Sequence, residues 1–171
     1  MLIANRGECA LRIIRTCKKL GIKTVAIITE QDYSSPHANA ADNHFTVSSY
    51  TNIDDIVRAG RKGGVDSVHP GYGFLSENAK FAEIVTKHNI KFIGPSSNII
   101  TQMGDKIEAK KIAKKHGLPI IEGSEGGVKN YDEAKSICKE IGFPVLIKAA
   151  GGGGGKGMKI VEEVSQLENL F

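Results

Sequence analysis

From Glu8 onward, apolar residues recur at helical spacing: Ala10, Leu11, Ile13, Ile14, Cys17 and Leu20. That spacing predicts an amphipathic helix, and Gly21 is placed to end it in the left-handed conformation. Short apolar runs bracket the helix. Residues 2–4 (LIA) and the β-branched stretch 23–29 (KTVAIIT) read as buried strands. Strand, helix and strand within about thirty residues mark a βαβ unit of a parallel sheet.

The alternation continues. Asn52 can cap a helix running to Arg61, which Gly63 and Gly64 end before a short strand, DSVH. A helix over 78–88 leads to the strand IKFIG at 90–94. The longest helix is then predicted over 98–116, stopped by Gly117 and Pro119. The first hundred or so residues thus read as a doubly wound α/β unit with its ligand region at the carboxyl ends of the strands. Residues 117–130 are loop-rich and resemble a boundary. Asn130 with Glu133 makes a capping box for a helix to Ile141. PVLIKAA is a strand, MKIV its antiparallel partner across five glycines, and SQLENLF a last amphipathic segment. A hairpin with two helices is thin for an independent domain, so the sequence is expected to end inside its second unit.

Composition narrows the function classes. The 171 residues are 40% hydrophobic and 25% charged, within the range of soluble globular proteins. A net charge of +4 suits an anionic ligand but gives no basis for nucleic-acid binding, and no aromatic–basic recognition pattern is present. Cys9, Cys17 and Cys138 are odd in number and lack CxxC spacing, which argues against a disulfide framework or a zinc site and for a reducing compartment. No apolar run approaches the length of a membrane span, and residues 1–3 lead straight into polar ANRGE rather than a signal sequence.

The five glycines, Gly151, Gly152, Gly153, Gly154 and Gly155, lie in VLIKAAGGGGGKGMKIV. Each ordered glycine loses much backbone entropy, so five ask for more than a turn. Walker A spacing fails, because Ala150 stands where its first glycine belongs and Gly157 follows Lys156. A GxGxxG match is nearly automatic in such a run, and MKIV reads as strand where a dinucleotide fingerprint must open a helix. A kinase loop carries its lysine on the following strand, whereas Lys148 precedes this loop. What remains is a hairpin tip that donates backbone N–H groups to a polyphosphate, flanked by Lys148 and Lys156; a mobile surface loop is the alternative. HPGYGFLSEN, residues 69–78, follows a strand at its carboxyl end and reads either as a site loop or as a structural turn with Tyr72 and Phe74 packed as ordinary aromatics. In MGDKIEAKKIAKKHG, Lys110 to Lys115 read as a solvated helix face, while Lys106 lies close to the apolar side marked by Met103 and Ile107.

IANRGE, HPGYGFLSEN, FIGPS, MGDK and IKAAGGGGGKGM, in this order, resemble the N-terminal part of biotin carboxylase, the ATP-grasp component of biotin-dependent acyl-CoA and pyruvate carboxylases. The resemblance covers the whole chain. It implies a doubly wound parallel-sheet, Rossmann-like (pre-ATP-grasp) domain over 1–97. A truncated ATP-grasp domain over 98–171 follows, with a lid subdomain from about 121 and the glycine-rich hairpin closing as a lid on ATP. The implied reaction uses MgATP and bicarbonate, through carboxyphosphate, to carboxylate a biotin ureido nitrogen on a biotin carboxyl carrier. Lys106, Lys148, the glycines 151–155 and Met158 match ATP-binding positions; His69, Tyr72 and Gly73 match the biotin side of the cleft. Arg12 and Arg15 match a homodimer-forming helix. Cys9 stands where the family usually has an aliphatic residue.

The magnesium-binding glutamates, the bicarbonate-binding Arg and Lys and the catalytic base are all expected beyond Phe171, so no metal ligand or catalytic residue is expected here. The chain alone is expected to be inactive. Implied partners are the carrier domain and a carboxyltransferase component, with no nucleic acid and no membrane, in the cytoplasm or the mitochondrial matrix. A non-catalytic nucleotide-binding or assembly module, or another ATP-grasp ligase of the carbamoyl-phosphate synthetase or purine-biosynthetic kind, are the alternatives. IANRGE and HPGYGFLSEN argue against the last.

Overall fold

Alternating side chains on the first strand already require helices on both faces of a sheet. In the computed structural model, which describes residues 1–149 and 157–170, β1 (Leu2–Ile3) sends Leu2 and the following Ala4 into one apolar cluster and Ile3 into another. Such two-sided burial belongs to a parallel sheet covered above and below. Next come α1 (Gly7–Lys19), β2 (Val25–Ile28), a 3₁₀ turn (Glu30–Asp32), α2 (Pro36–Ala40) and β3 (Asn43–Thr46). α3 (Ile53–Lys62), β4 (Ser67–His69), α4 (Ala79–Lys87), β5 (Lys91–Phe92) and α5 (Ser97–Gly104) complete the first unit, Met1–Gly104.

Its five strands lie in the order β3-β2-β1-β4-β5, all parallel. One face is closed by Ala10 and Ile14 of α1 with Ala40 and Ala41 at the end of α2, packed on Ile3. The other carries the larger core, where Ile56 and Val57 of α3 and Phe81, Ala82 and Val85 of α4 meet Leu2, Val25, Ile27 and Val68. Asn52 and Asn78 cap α3 and α4 by accepting from the backbone N–H groups of Asp55 and Phe81. β3 and α2 have no counterpart in the sequence reading. β3 is an edge strand spelled NHFT, none of whose residues is buried, so it lacks the apolar run that marked the other strands.

The second unit, Asp105–Phe171, begins where the predicted 98–116 helix breaks. Two helices replace it: α5 ends at Gly104, and α6 (Lys106–Lys115) starts afresh because the Asp105 carboxylate accepts from the N–H groups of Ile107 and Glu108. α7 (Tyr131–Ile141) is capped by Asn130, which accepts from Glu133 N–H; the Glu133 carboxylate reaches back to Lys129 N–H, one residue before the cap. β6 (Val145–Lys148) and β7 (Met158–Val161) form the expected antiparallel pair, and α8 (Val164–Leu170) follows. Ala134 and Cys138 of α7, Val161 of β7 and Leu167 of α8 make this unit's core, with Val145 and Ile147 packed on it.

Candidate functional site

The strand order places the topological switch of the first unit between β1 and β4, the crevice where an open α/β sheet usually takes its ligand. Here protein fills it. Asn5, only 3% exposed, donates both amide hydrogens across the gap, to the carbonyls of Pro70 and Tyr72 at 2.8 Å each. Its Oδ1 accepts from Arg6 N–H at 2.9 Å. Gly71 (φ +66°) crosses so closely that a Cβ there would lie 2.5 Å from Cys9 Sγ and 2.6 Å from Asn5 Nδ2. The loop after β4 is therefore held down on β1 and α1.

His69, at the end of β4, accepts Gly71 N–H on Nδ1 at 3.0 Å, and burial holds its pKa below the ordinary value. Tyr72 is 64% solvent-exposed, with its hydroxyl donating to the Glu8 carboxylate. Gly73 (φ +67°) turns the chain and accepts Ser76 N–H on its carbonyl at 2.9 Å. Phe74 stacks on Tyr50 at 5.2 Å between ring centres. His69 thus ends β4, and Tyr72 and Gly73 lie on the loop that follows it.

Beside it lies a second buried polar cluster that the sequence reading missed. His37 is fully buried and accepts Gly7 N–H, the first of α1, on Nδ1 at 3.3 Å. Ser35 Oγ lies 2.8 Å from the same nitrogen, and Nε2 lies 3.4 Å from the Ile27 carbonyl. A carbonyl can only accept, so Nε2 carries the hydrogen, and Nδ1, accepting from Gly7 N–H, carries none, which makes the ring neutral; burial lowers its pKa accordingly. Asp32 accepts from Tyr50 and Thr29 hydroxyls at 2.9 Å each and faces Arg6 at 3.5 Å. Burial pushes the Asp32 carboxyl up, but those two hydrogen bonds and the Arg6 charge outweigh it and hold it below its usual value. Burial and the Asp32 hydrogen bond raise the Tyr50 phenol. No local signal in SSPHANA marks His37 as a helix cap, since its partner lies thirty residues away.

In the second unit the strand register assigns faces. Lys148 stands directly opposite Met158 and Leu146 opposite Ile160, while Ile147 pairs with Lys159 and Val145 with Val161. Directly opposed residues share a face. Val145, Ile147 and Val161 turn to the α7–α8 core, so Leu146, Lys148, Met158 and Ile160 form the open face, with Ile160 65% and Met158 46% exposed. Ala149 N–H donates to the Gly157 carbonyl at 3.1 Å, extending the hairpin beyond β6. Lys106, the first residue of α6, donates from Nζ to the Ala149 carbonyl at 3.2 Å. Lys106, Lys148 and Met158 are thereby gathered around one end of the hairpin stem. The glycines 151–155, together with Lys156, lie outside the described residues. Arg12 and Arg15 are exposed on α1, where Arg12 also donates to Thr16 Oγ1.

Among the described residues no group of three or more His, Cys, Asp or Glu side chains could hold a metal ion. No helix among them is long and apolar enough to cross a membrane.

Residues 1–100 match the family model described as biotin carboxylase, N-terminal domain. Residues 105–171 match that of the carbamoyl-phosphate synthase L chain, ATP binding domain. The chain belongs to the biotin carboxylase family and corresponds to the N-terminal part of its catalytic domain. It is 47% identical to biotin carboxylase 1 of Bacillus subtilis over 99% of its own length and 39% of that protein's. It is 52% identical to the human mitochondrial propionyl-CoA carboxylase alpha chain over all of its own length and 24% of that protein's. Among solved structures, the biotin carboxylase–beta-gamma-ATP complex of Campylobacter jejuni superposes with a TM-score of 0.92 at 46% identity, over 99% of this chain and 39% of that one. The biotin carboxylase domain dimer of Hydrogenobacter thermophilus 2-oxoglutarate carboxylase, with MgADP, ADP and bicarbonate, gives 0.90 at 44%, over 98% and 38%. The chain therefore spans about two-fifths of the biotin carboxylases it matches.

Proposed function

We propose that this segment supplies the phosphate-binding stem and the strand-end loop of a biotin carboxylase that uses ATP and bicarbonate to carboxylate biotin on a carrier domain. One observation carries the reading: the register that sets Lys148 opposite Met158 on the open face of the β6–β7 hairpin, beside Leu146 and Ile160. An apolar strip ending in an ammonium group fits a flat heterocycle with a polyphosphate tail. The Campylobacter neighbour, a biotin carboxylase–beta-gamma-ATP complex, supports the assignment. Lys148 rides a paired strand, which can hold its charge at a set distance from a phosphate. Lys106 adds a second ammonium at the same end, and the glycines 151–155 are assigned to the lid.

No metal ligand and no catalytic residue is assigned to the segment. His69, Tyr72 and Gly73 are assigned to the biotin side. Arg12 and Arg15 are assigned to a dimer surface, consistent with their exposure on α1 and with the dimer named for the Hydrogenobacter domain. The biotin carboxyl carrier and a carboxyltransferase component are the proposed partners.

The test uses the opposite orientation of two neighbouring lysines. In a full-length biotin carboxylase subunit carrying this segment, Lys148→Gln lowers kcat/KM for ATP by about tenfold to a hundredfold, the loss of a charge-assisted contact of about 1.5–3 kcal/mol. Lys159→Gln, on the other face, changes it by less than about threefold. Equal losses would remove the assignment.

A further inference from the structure

Asn5 has no role in the nucleotide stem, yet it is the polar residue most completely engaged at the strand ends. Its side chain sits 3% exposed with all three of its hydrogen-bonding groups used: two donors on the Pro70 and Tyr72 carbonyls and one acceptor on Arg6 N–H. Those carbonyls lie 65 and 67 residues away along the chain and flank Gly71. An amide can bind both because it presents two hydrogens from one nitrogen; a carboxylate of the same shape would face the same two carbonyl oxygens with lone pairs only. Gly71 makes the arrangement unforgiving, since its backbone passes against Asn5 and Cys9 with no room for a Cβ. Tyr72 is tied at its other end to Glu8 in the first turn of α1. The β4–α4 loop is thus fixed to the segment after β1 by buried contacts, while the Tyr72 ring remains exposed.

We propose that Asn5 is the positioning residue of the 69–74 loop: it closes the switch-point crevice and, by doing so, fixes where His69 and Tyr72 are presented. The sheet end where a doubly wound domain normally receives a nucleotide is converted into a rigid mount for a loop. The consequence for substrate rests on the assignment of that loop to the biotin side; the clamp itself does not.

The experiment is carried out in a full-length subunit carrying this segment. Asn5→Ala removes both donors, and amide exchange is compared between peptides covering 69–76 and the β2 strand. The expected result is an increase of about tenfold or more in exchange over 69–76 with β2 unchanged, since the loop loses one buried and one part-buried hydrogen bond while the sheet keeps its own. Unchanged loop exchange, or a parallel rise in both peptides, overturns the clamp. Should Asn5→Ala fail to fold, Asn5→Ser keeps one donor in a smaller volume and is read by the same two outcomes. Steady-state kinetics then separate the two layers. A rise of about tenfold in KM for biotin, with KM for ATP within about twofold, supports the presentation role. Faster loop exchange with an unaltered biotin KM keeps the clamp and overturns the assignment of the loop to biotin.

Discussion

Gly71 of the first unit and the Gly126–Gly127 pair of the second do different work. In the first unit Gly71 is squeezed between Asn5 and Cys9 at positive φ, and the surrounding polar groups are satisfied before any ligand arrives. In the second, Gly126 and Gly127 meet nothing within 4 Å, and the open hairpin face presents half-exposed apolar side chains beside lysines. A glycine can thus mark a place where backbone must pass close to protein or a place where nothing constrains it. The first unit builds its loop in advance through burial. The second leaves a stem whose open face carries half-exposed apolar side chains beside Lys148.

Substituting glycines in both units tests that contrast most severely. Gly71→Ala combines an overpacked contact with a left-handed alanine and is expected to cost about 2–4 kcal/mol. Gly126→Ala is expected to stay within about 0.5 kcal/mol. Urea unfolding of the two variants checks this, and similar costs would erase the distinction between packed and open glycines.

Acid should separate the units next. His37 and His69 are held below their ordinary value of 6.5 by burial. For His37, the nearby Asp32 opposes that shift, while Arg6 and His44 reinforce it. A base with a depressed folded pKa binds fewer protons folded than unfolded near and below 6.5. The stability it contributes is therefore complete above that pH and lost as pH falls toward the folded value. In the second unit the Asp105 cap is lowered from 3.8 by hydrogen bonds from Glu108 and Ile107 N–H, so its contribution persists until pH falls below 3.8. Protection factors, corrected for the intrinsic exchange rate at pH 7.5 and 5.5 and read peptide by peptide, should show the first unit loosening and the second unaffected, with His37→Gln weakening the trend. A second unit that loosens first would contradict it.

The smallest effect concerns a helix start. Asn130→Ala removes the cap of α7, whose residues supply half of the second unit's small core, and should cost about 1 kcal/mol. Because that core holds only four buried residues among those described, the loss should appear in exchange of β6 and β7 and leave the sheet of the first unit untouched.

Much of this was legible in the sequence because the relevant physics is local. Alternation in VLIK and MKIV fixes both the hairpin and the face on which Lys148 stands, and the Asn caps of α3, α4 and α7 each lie three residues before the N–H they bind. The break at Gly104 and Asp105 was written there too, as a helix former's stop followed by a cap, but the apolar spacing across it read as one helix. β3 was hidden because an exposed edge strand needs no apolar run. Asn5 and His37 were hidden for a different reason. Each is a single polar residue whose partners are brought up from a distant part of the chain, and no spacing in IANRGE or SSPHANA encodes the other end of the bond.

The central claim is that nucleotide is received at the open hairpin face of the second unit and not at the strand ends of the first. Methionine methyl and histidine ring spectra test it directly, because Met158 lies on that face and His69 stands at the carboxyl end of β4. In a full-length subunit carrying the segment, with the two resonances assigned by Met158→Leu and His69→Gln, a non-hydrolysable ATP analogue is titrated to saturation. The account predicts a saturable shift of the Met158 methyl, abolished or strongly weakened by Lys148→Gln, with the His69 ring unmoved. A stationary Met158 alongside a saturable shift at His69 would contradict it.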